Sequence, residues 1–180
     1  MAALLLIFRR RGCYPELKVE GRWLAPCALL GIVLCAAWVG IDAVTPHFAF
    51  LGKREGYDPL AQIARPAVRW AFIAVRFAGL ALVVPPMEEL FYRSFVLRFV
   101  VDPADFRAVP MGRYDFTSCA AVVVLMAAAH PEWLAAAVFS LAMNALLYRT
   151  KSVFACILAH GATNFALGVY VLSAHAWRFW

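Results

Sequence analysis

The sequence predicts an all-α fold, a polytopic membrane helix bundle with a polar site buried between its helices. Three observations carry this expectation. Of 180 residues, 64% are hydrophobic and 16% charged, with a mean hydropathy of +0.75, which is more apolar surface than water tolerates. The apolar residues fall in runs close to the length that crosses a bilayer. Ionisable side chains interrupt those runs at few places, above all at Pro85-Pro86-Met87-Glu88-Glu89-Leu90-Phe91-Tyr92-Arg93. At roughly 2.5 to 3.5 kcal/mol for each mid-membrane charge, Glu88, Glu89, Arg93 and Arg98 on the lipid face would cost on the order of 10 kcal/mol, so some of them must face inward or find partners.

The length suits one domain, divided into an N-terminal segment (residues 1–22), a first span and loop (23–66) and a core that carries the polar motifs (67–180). The net charge of +6 sits between the apolar runs rather than on an aromatic-interleaved stripe. It reads as a membrane topology signal and not as a nucleic-acid surface. Cys13, Cys27, Cys35, Cys119 and Cys156 form no Cys-x-x-Cys pair, and they read as small buried hydrophobes rather than a disulfide framework. Arg9-Arg10-Arg11 follows the apolar residues 2–8 instead of preceding them, which is the wrong order for a secretory signal.

In chain order, residues 2–8 are too short to span and read as an interfacial segment or as the tail of a helix whose beginning is absent. Residues 23–44 suffice for one span, with Asp42 at its interface end. Residues 45–66 form a loop with turn signals at Gly52 and Asp58-Pro59. Residues 67–84 form the next span, where Arg76 is expected to pair with Asp42 or a motif glutamate. Pro85-Pro86 stops that helix and starts the next, which runs over 87–101 and ends at Asp102-Pro103. A polar loop follows, then a short helix over 116–130. Pro131 biases His130 out of helical geometry, and a further helix runs from Pro131-Glu132 to Leu147. Arg149-Thr150-Lys151 is a polar turn. The last span covers 152–174, with Trp177, Phe179 and Trp180 suited to the aromatic belt.

These elements put several polar residues at one depth. Glu88 lies 14 residues before Asp102 and His130 lies 14 after Phe116, about 21 Å from the shared loop in each case. A reversal at His130-Pro131 returns the chain to that side, and His160 and Asn164 then lie about 12 and 18 Å deep. Helical spacing places Glu89 over Arg93 and His160 over Asn164, whereas Glu88 points about 100° away from Glu89. One glutamate can be held by Arg93 while the other stays free to act as a general base. His47 and His175 fall in flanking segments and are expected to be solvated. Met87 and Met126 read as packing residues.

Glu88-Glu89-x-x-x-Arg93, then His130 at the end of a short helix, then His160-x-x-x-Asn164 resembles the three-motif signature of the CPBP intramembrane endopeptidases, whose founding members are the type II CAAX prenyl proteases. Residues 84–98, 130–133 and 146–180, especially Tyr148-Arg149-Thr150-Lys151, Ala159-His160-Gly161 and the ending from Trp177 to Trp180, are similar to a bacterial branch, the CAAX prenyl protease-related proteins found with exosortase sorting systems. The resemblance covers residues 67–180. Met126 stands where the family usually has Phe, and the family usually has more spans before its first motif.

The resemblance implies a multi-pass enzyme of the bacterial inner membrane that cleaves a peptide bond in a membrane-associated protein or peptide, in the company of an exosortase-type system. Carried onto this chain, it implies that Glu88 and His130 bind and activate water, and that His160 and Asn164 stabilise the oxyanion. Glu89 and Arg93 would support the motif helix or the substrate. No cofactor is favoured. Zinc held by Glu88, His130 and His160 is the alternative, weakened by the lack of a His-Glu-x-x-His pair and by an asparagine that suits an oxyanion better than zinc. The competing class is a non-catalytic peptide-binding or immunity protein of the same fold. A proton or ion pathway would spread its polar residues along the membrane normal. Prenylated CAAX tails are not generally supplied by exosortase-type bacteria, so the substrate stays unnamed.

Overall fold

A computed structural model of the chain describes Leu17 and residues 21–46, 48, 50, 52 and 55–180. The expectations for residues 2–8 and 9–11, for Cys13 and for His47 lie outside that set. Among the described residues the chain is helical and has no strand. A 3-10 turn at Gly21–Trp23 leads into α1 (Leu24–Val44), α2 (Pro59–Gln62) is a single turn in the first loop, and α3 runs over Pro66–Val101. Then come α4 (Phe116–Ala128), α5 (Trp133–Thr150) and α6 (Val153–Ala174).

Local chemistry sets these boundaries. Side-chain oxygens of Asp58, Asp115 and Ser152 accept from the first free N–H groups of α2, α4 and α6, the groups that no helical carbonyl can reach. Asp102 precedes a proline and is extended, which ends α3. Lys151 and His175 take left-handed backbone angles (φ 56° and 53°) and so turn the chain after α5 and α6.

Among the described residues, three helices are long and apolar enough to cross a membrane: Gly21–Val44, Pro66–Val101 and Val153–Ala174. Helix α4, with 13 residues, is about 20 Å long, too short to cross a hydrocarbon core of about 30 Å. α1 and α6 run parallel. Gly31 meets α6 so closely that a Cβ there would lie 2.5 Å from the Ala159 carbonyl and 2.6 Å from the Ala162 Cβ, and Asp42 near the end of α1 pairs with Arg178 just past α6 at 3.1 Å. α3 runs antiparallel to both: Ile73 clusters with Phe179 and Trp180, the Leu80 carbonyl meets Asn164, and Glu89 meets His160. α4 and α5 form an antiparallel hairpin, with Tyr114 against Tyr148 at its open end and Trp133 bonded to the Pro46 carbonyl at its turn.

Three expectations are corrected here. First, Pro85-Pro86 does not separate two helices, because α3 continues through them for 36 residues. A proline inside an α-helix costs about 3 kcal/mol or more through a lost donor and a ring clash with the preceding turn. Residues Gly79–Val83 are π-helical, and Val84 donates to the Gly79 carbonyl. In that register the Leu80 carbonyl would look to Pro85, which has no N–H; Asn164 Nδ2 donates to it instead at 2.9 Å. The wider π turn also makes room for the rings. A continuous α3 moves Arg65 to the end of the molecule opposite Arg107 and Arg113.

Second, Arg76 pairs with neither Asp42 nor a motif glutamate. Its guanidinium lies over the Trp180 ring at 5.5 Å, Asp42 is buried against Arg178 and Glu89 against Arg93. Third, Phe179 and Trp180 are not a belt at the interface. His175 reverses the chain after α6, a 3-10 turn at Trp177–Phe179 follows, and both rings fold inward and are buried. Smaller differences concern α5, which begins after Glu132 and runs on to Thr150.

Candidate active site

The second half of α3 supplies the glutamates. Glu89 is completely buried, and Arg93 one turn on is buried with it, their Oε2 and Nε atoms 3.2 Å apart. Arg93 Nη1 donates to Glu89 Oε1 at 3.4 Å, and Nη2 reaches the carbonyl and hydroxyl of Ser140 on α5 at 3.4 and 3.3 Å. The Nε contact is an ion pair whose angle falls outside hydrogen-bond geometry, so Oε2 and Nε lack directed partners. Residues Leu90–Val96 form a second π-helical stretch around Arg93. π turns inside α-helices gather at functional sites, and here two of them flank Glu88 and Glu89.

Glu89 has a second partner, since His160 Nδ1 stands 2.8 Å from its Oε1. Glu89 is ion-paired with Arg93 and accepts, so His160 carries a proton on Nδ1 and turns its Nε2 edge away from Glu89. The pattern of buried carboxylate, imidazole Nδ1 and outward Nε2 is the one that fixes a catalytic histidine's tautomer in serine hydrolases. Nothing in the sequence pointed to it, because the partners lie 71 positions apart with no shared helical face.

His130 follows α4 and is half-buried. Pro131 turns it out of the helix, and its Nδ1–H donates to the Met126 carbonyl at 2.9 Å, one of the carbonyls that a helix end leaves free. Its Nε2 is therefore also the unengaged nitrogen. Edge-on aromatic contacts run from His130 to Trp38 at 5.8 Å, from Trp38 to Phe139 at 6.0 Å and from Phe139 to His160 at 4.9 Å. Trp38 on α1 and Phe139 on α5 thus fix both imidazoles, a role the sequence did not announce.

Glu88, His130, His160 and Asn164 line one cavity of about 250 Å³. Glu89 and Arg93 stand behind it. Asn164 gives one N–H to Leu80 and keeps a second donor, since a carboxamide nitrogen carries two. Among the described residues, no three His, Cys, Asp or Glu side chains come together in a way that would hold a metal ion. Glu88, His130 and His160, the expected zinc set, line the same cavity without meeting as such a cluster. Cys27, Cys35, Cys119 and Cys156 are free, and none lines the cavity. Met87 is exposed towards lipid, while Met126 is buried against the site.

No curated protein and no solved structure matches the chain. A family model, type II CAAX prenyl endopeptidase Rce1-like, matches residues 69–166, a stretch that contains Glu88, Glu89, Arg93, His130, His160 and Asn164. That match covers more than half of the chain, whose described residues include three helices long and apolar enough to cross a membrane, and the chain therefore belongs to the Rce1-like family of type II CAAX prenyl endopeptidases, which are CAAX-type intramembrane proteases.

Proposed function

We propose that the chain hydrolyses a peptide bond of a membrane-associated protein or peptide with a water molecule activated by Glu88 and His130. The observation that supports this most is the convergence of Glu88, His130, His160 and Asn164, from three separate stretches of chain, on one cavity. Glu88 takes a proton from water as general base, while His130 Nε2 accepts a hydrogen bond from the other O–H and holds the water in place; as the C–N bond breaks, Glu88 gives its proton to the leaving amine nitrogen. As the carbonyl carbon becomes tetrahedral, negative charge develops on its oxygen. The free N–H of Asn164 donates to it, and His160, held in orientation by the Glu89 carboxylate, supports the same oxygen from its Nε2 edge. Donors held in place before the reaction, in a site of low dielectric, need no reorganisation as charge develops.

The reading is metal-free. What supports this is that no three-ligand cluster forms among the described residues. The bacterial inner-membrane address and substrate delivery by an exosortase-type system are part of the same proposal, supported by the likeness of residues 146–151 and 177–180 to that branch. The test is cleavage of a fluorogenic membrane-peptide library by detergent-purified protein, with and without a strong zinc chelator. Cleavage that survives the chelator is expected. Loss of cleavage with chelator would move the site to zinc, and binding without any cleavage would leave a peptide-binding scaffold.

A further inference from the structure

The cavity has two chemically different ends. The four polar side chains hold one end, and Leu167, Gly168, Val171, Phe179 and Trp180 form the other. The side chains of that second end carry no ionisable group, and their one polar atom is the Trp180 indole N–H, a buried donor without a partner, so a substrate ammonium entering among them would lose its hydration without a side-chain partner. At about 250 Å³ the whole space falls just below the roughly 300–1,000 Å³ of pockets for drug-sized ligands. It is also too small for an α-helix, whose diameter with side chains is about 10–12 Å. A substrate therefore enters as a short extended piece, with a side chain beside the scissile bond directed into the apolar end.

The wall that limits this end is built by the turn after α6. Phe179 and Trp180 are only 3% and 4% exposed and pack with Ile73 of α3 and Val171 of α6. Arg178 between α6 and Phe179 is tied to Asp42 of α1 at 3.1 Å, and Arg76 lies over the outer side of the Trp180 indole at 5.5 Å, a cation–π contact of the kind that steadies an aromatic ring. The wall is thus braced by α1, α3 and α6. A braced aromatic wall discriminates by size, because neither ring can move aside without breaking those contacts.

We infer that Trp180, with Phe179, determines substrate specificity by closing the apolar end of the active-site cavity, so that the residue beside the scissile bond is uncharged, apolar and smaller than tryptophan. The inference rests on the peptidase reading above. It is tested with peptides that differ only at one residue flanking the cut bond, each flank in turn, carrying Ala, Leu, Trp or Lys. The readout is the ratio of kcat/KM values within one variant, which does not depend on how much of that variant is folded.

Wild type is expected to cut the Ala and Leu peptides and to discriminate against Trp and Lys at one flank. Trp180→Ala should raise the Trp:Ala ratio there about tenfold or more, within the roughly 10–200-fold that apolar pocket size supplies. Leu167→Phe, which fills the same end from α6, should lower the Leu:Ala ratio. Trp180→Phe reads a smaller shift in the same direction if Trp180→Ala does not fold. Unchanged ratios at both flanks in active variants would overturn this inference and leave the peptidase reading intact, whereas a wild type that cuts no peptide would overturn the peptidase reading as well.

Discussion

At the scale of single residues, the site depends on two adjacent glutamates with opposite surroundings. Glu88 faces the cavity, and Glu89 is sealed between Arg93 and His160. Removing one member of a buried ion pair costs about 3–5 kcal/mol because a charge is left uncompensated, whereas removing both costs much less. Glu89→Gln and Arg93→Met should therefore each lower the thermal unfolding temperature in detergent, and the double variant should recover much of the loss. Peptidase activity should stay lost in Glu89→Gln and in the double variant, because His160 no longer has its carboxylate. Equal stability of the single variants and wild type would contradict the buried pair. The helical spacing of Glu88, Glu89 and Arg93 was enough to separate an outward from a paired glutamate. The bond from Glu89 to His160 was not legible, since it depends on how α3 and α6 pack.

At the scale of the helix, α3 stays continuous through two prolines because its register shifts and a side chain from α6 replaces a missing donor. The sequence reading broke the helix at Pro85 because proline rules describe an isolated α-helix, and the compensating donor is 84 positions away from Leu80. Asn164 therefore carries a structural load besides its proposed role towards the oxyanion. Asn164→Ala should cost about 1–3 kcal/mol through an unsatisfied buried carbonyl, and Pro85→Ala, which returns an N–H to the neighbourhood of Leu80, should offset part of it. A thermal-unfolding double-mutant cycle should give a coupling of about 0.5–3 kcal/mol, and strict additivity would contradict the compensation. Activity should not return in the double variant.

At the scale of the whole molecule, the first and last apolar spans were legible from run lengths, while the union of residues 67–84 and 87–101 into one helix and the membrane sidedness were not. With α3 continuous, the described basic residues of the loops and helix ends divide unequally: Arg22, Arg107, Arg113, Arg149 and Lys151 at one end, against Arg65, Arg69 and Arg178 at the other. The positive-inside rule puts the first group in the cytoplasm. A cysteine placed at Ala104 should be labelled by an impermeant thiol reagent only in inside-out vesicles, and one at Glu55 only in right-side-out vesicles; the reverse pattern would invert the orientation. The central claim is that Glu88 activates the attacking water. Its most direct test is the single-turnover cleavage rate of Glu88→Gln relative to wild type, with peptide bound to saturation in both. Loss of a general base predicts a rate lower by about 10²–10⁴-fold with peptide affinity little changed, whereas a rate within a few-fold of wild type would contradict the claim.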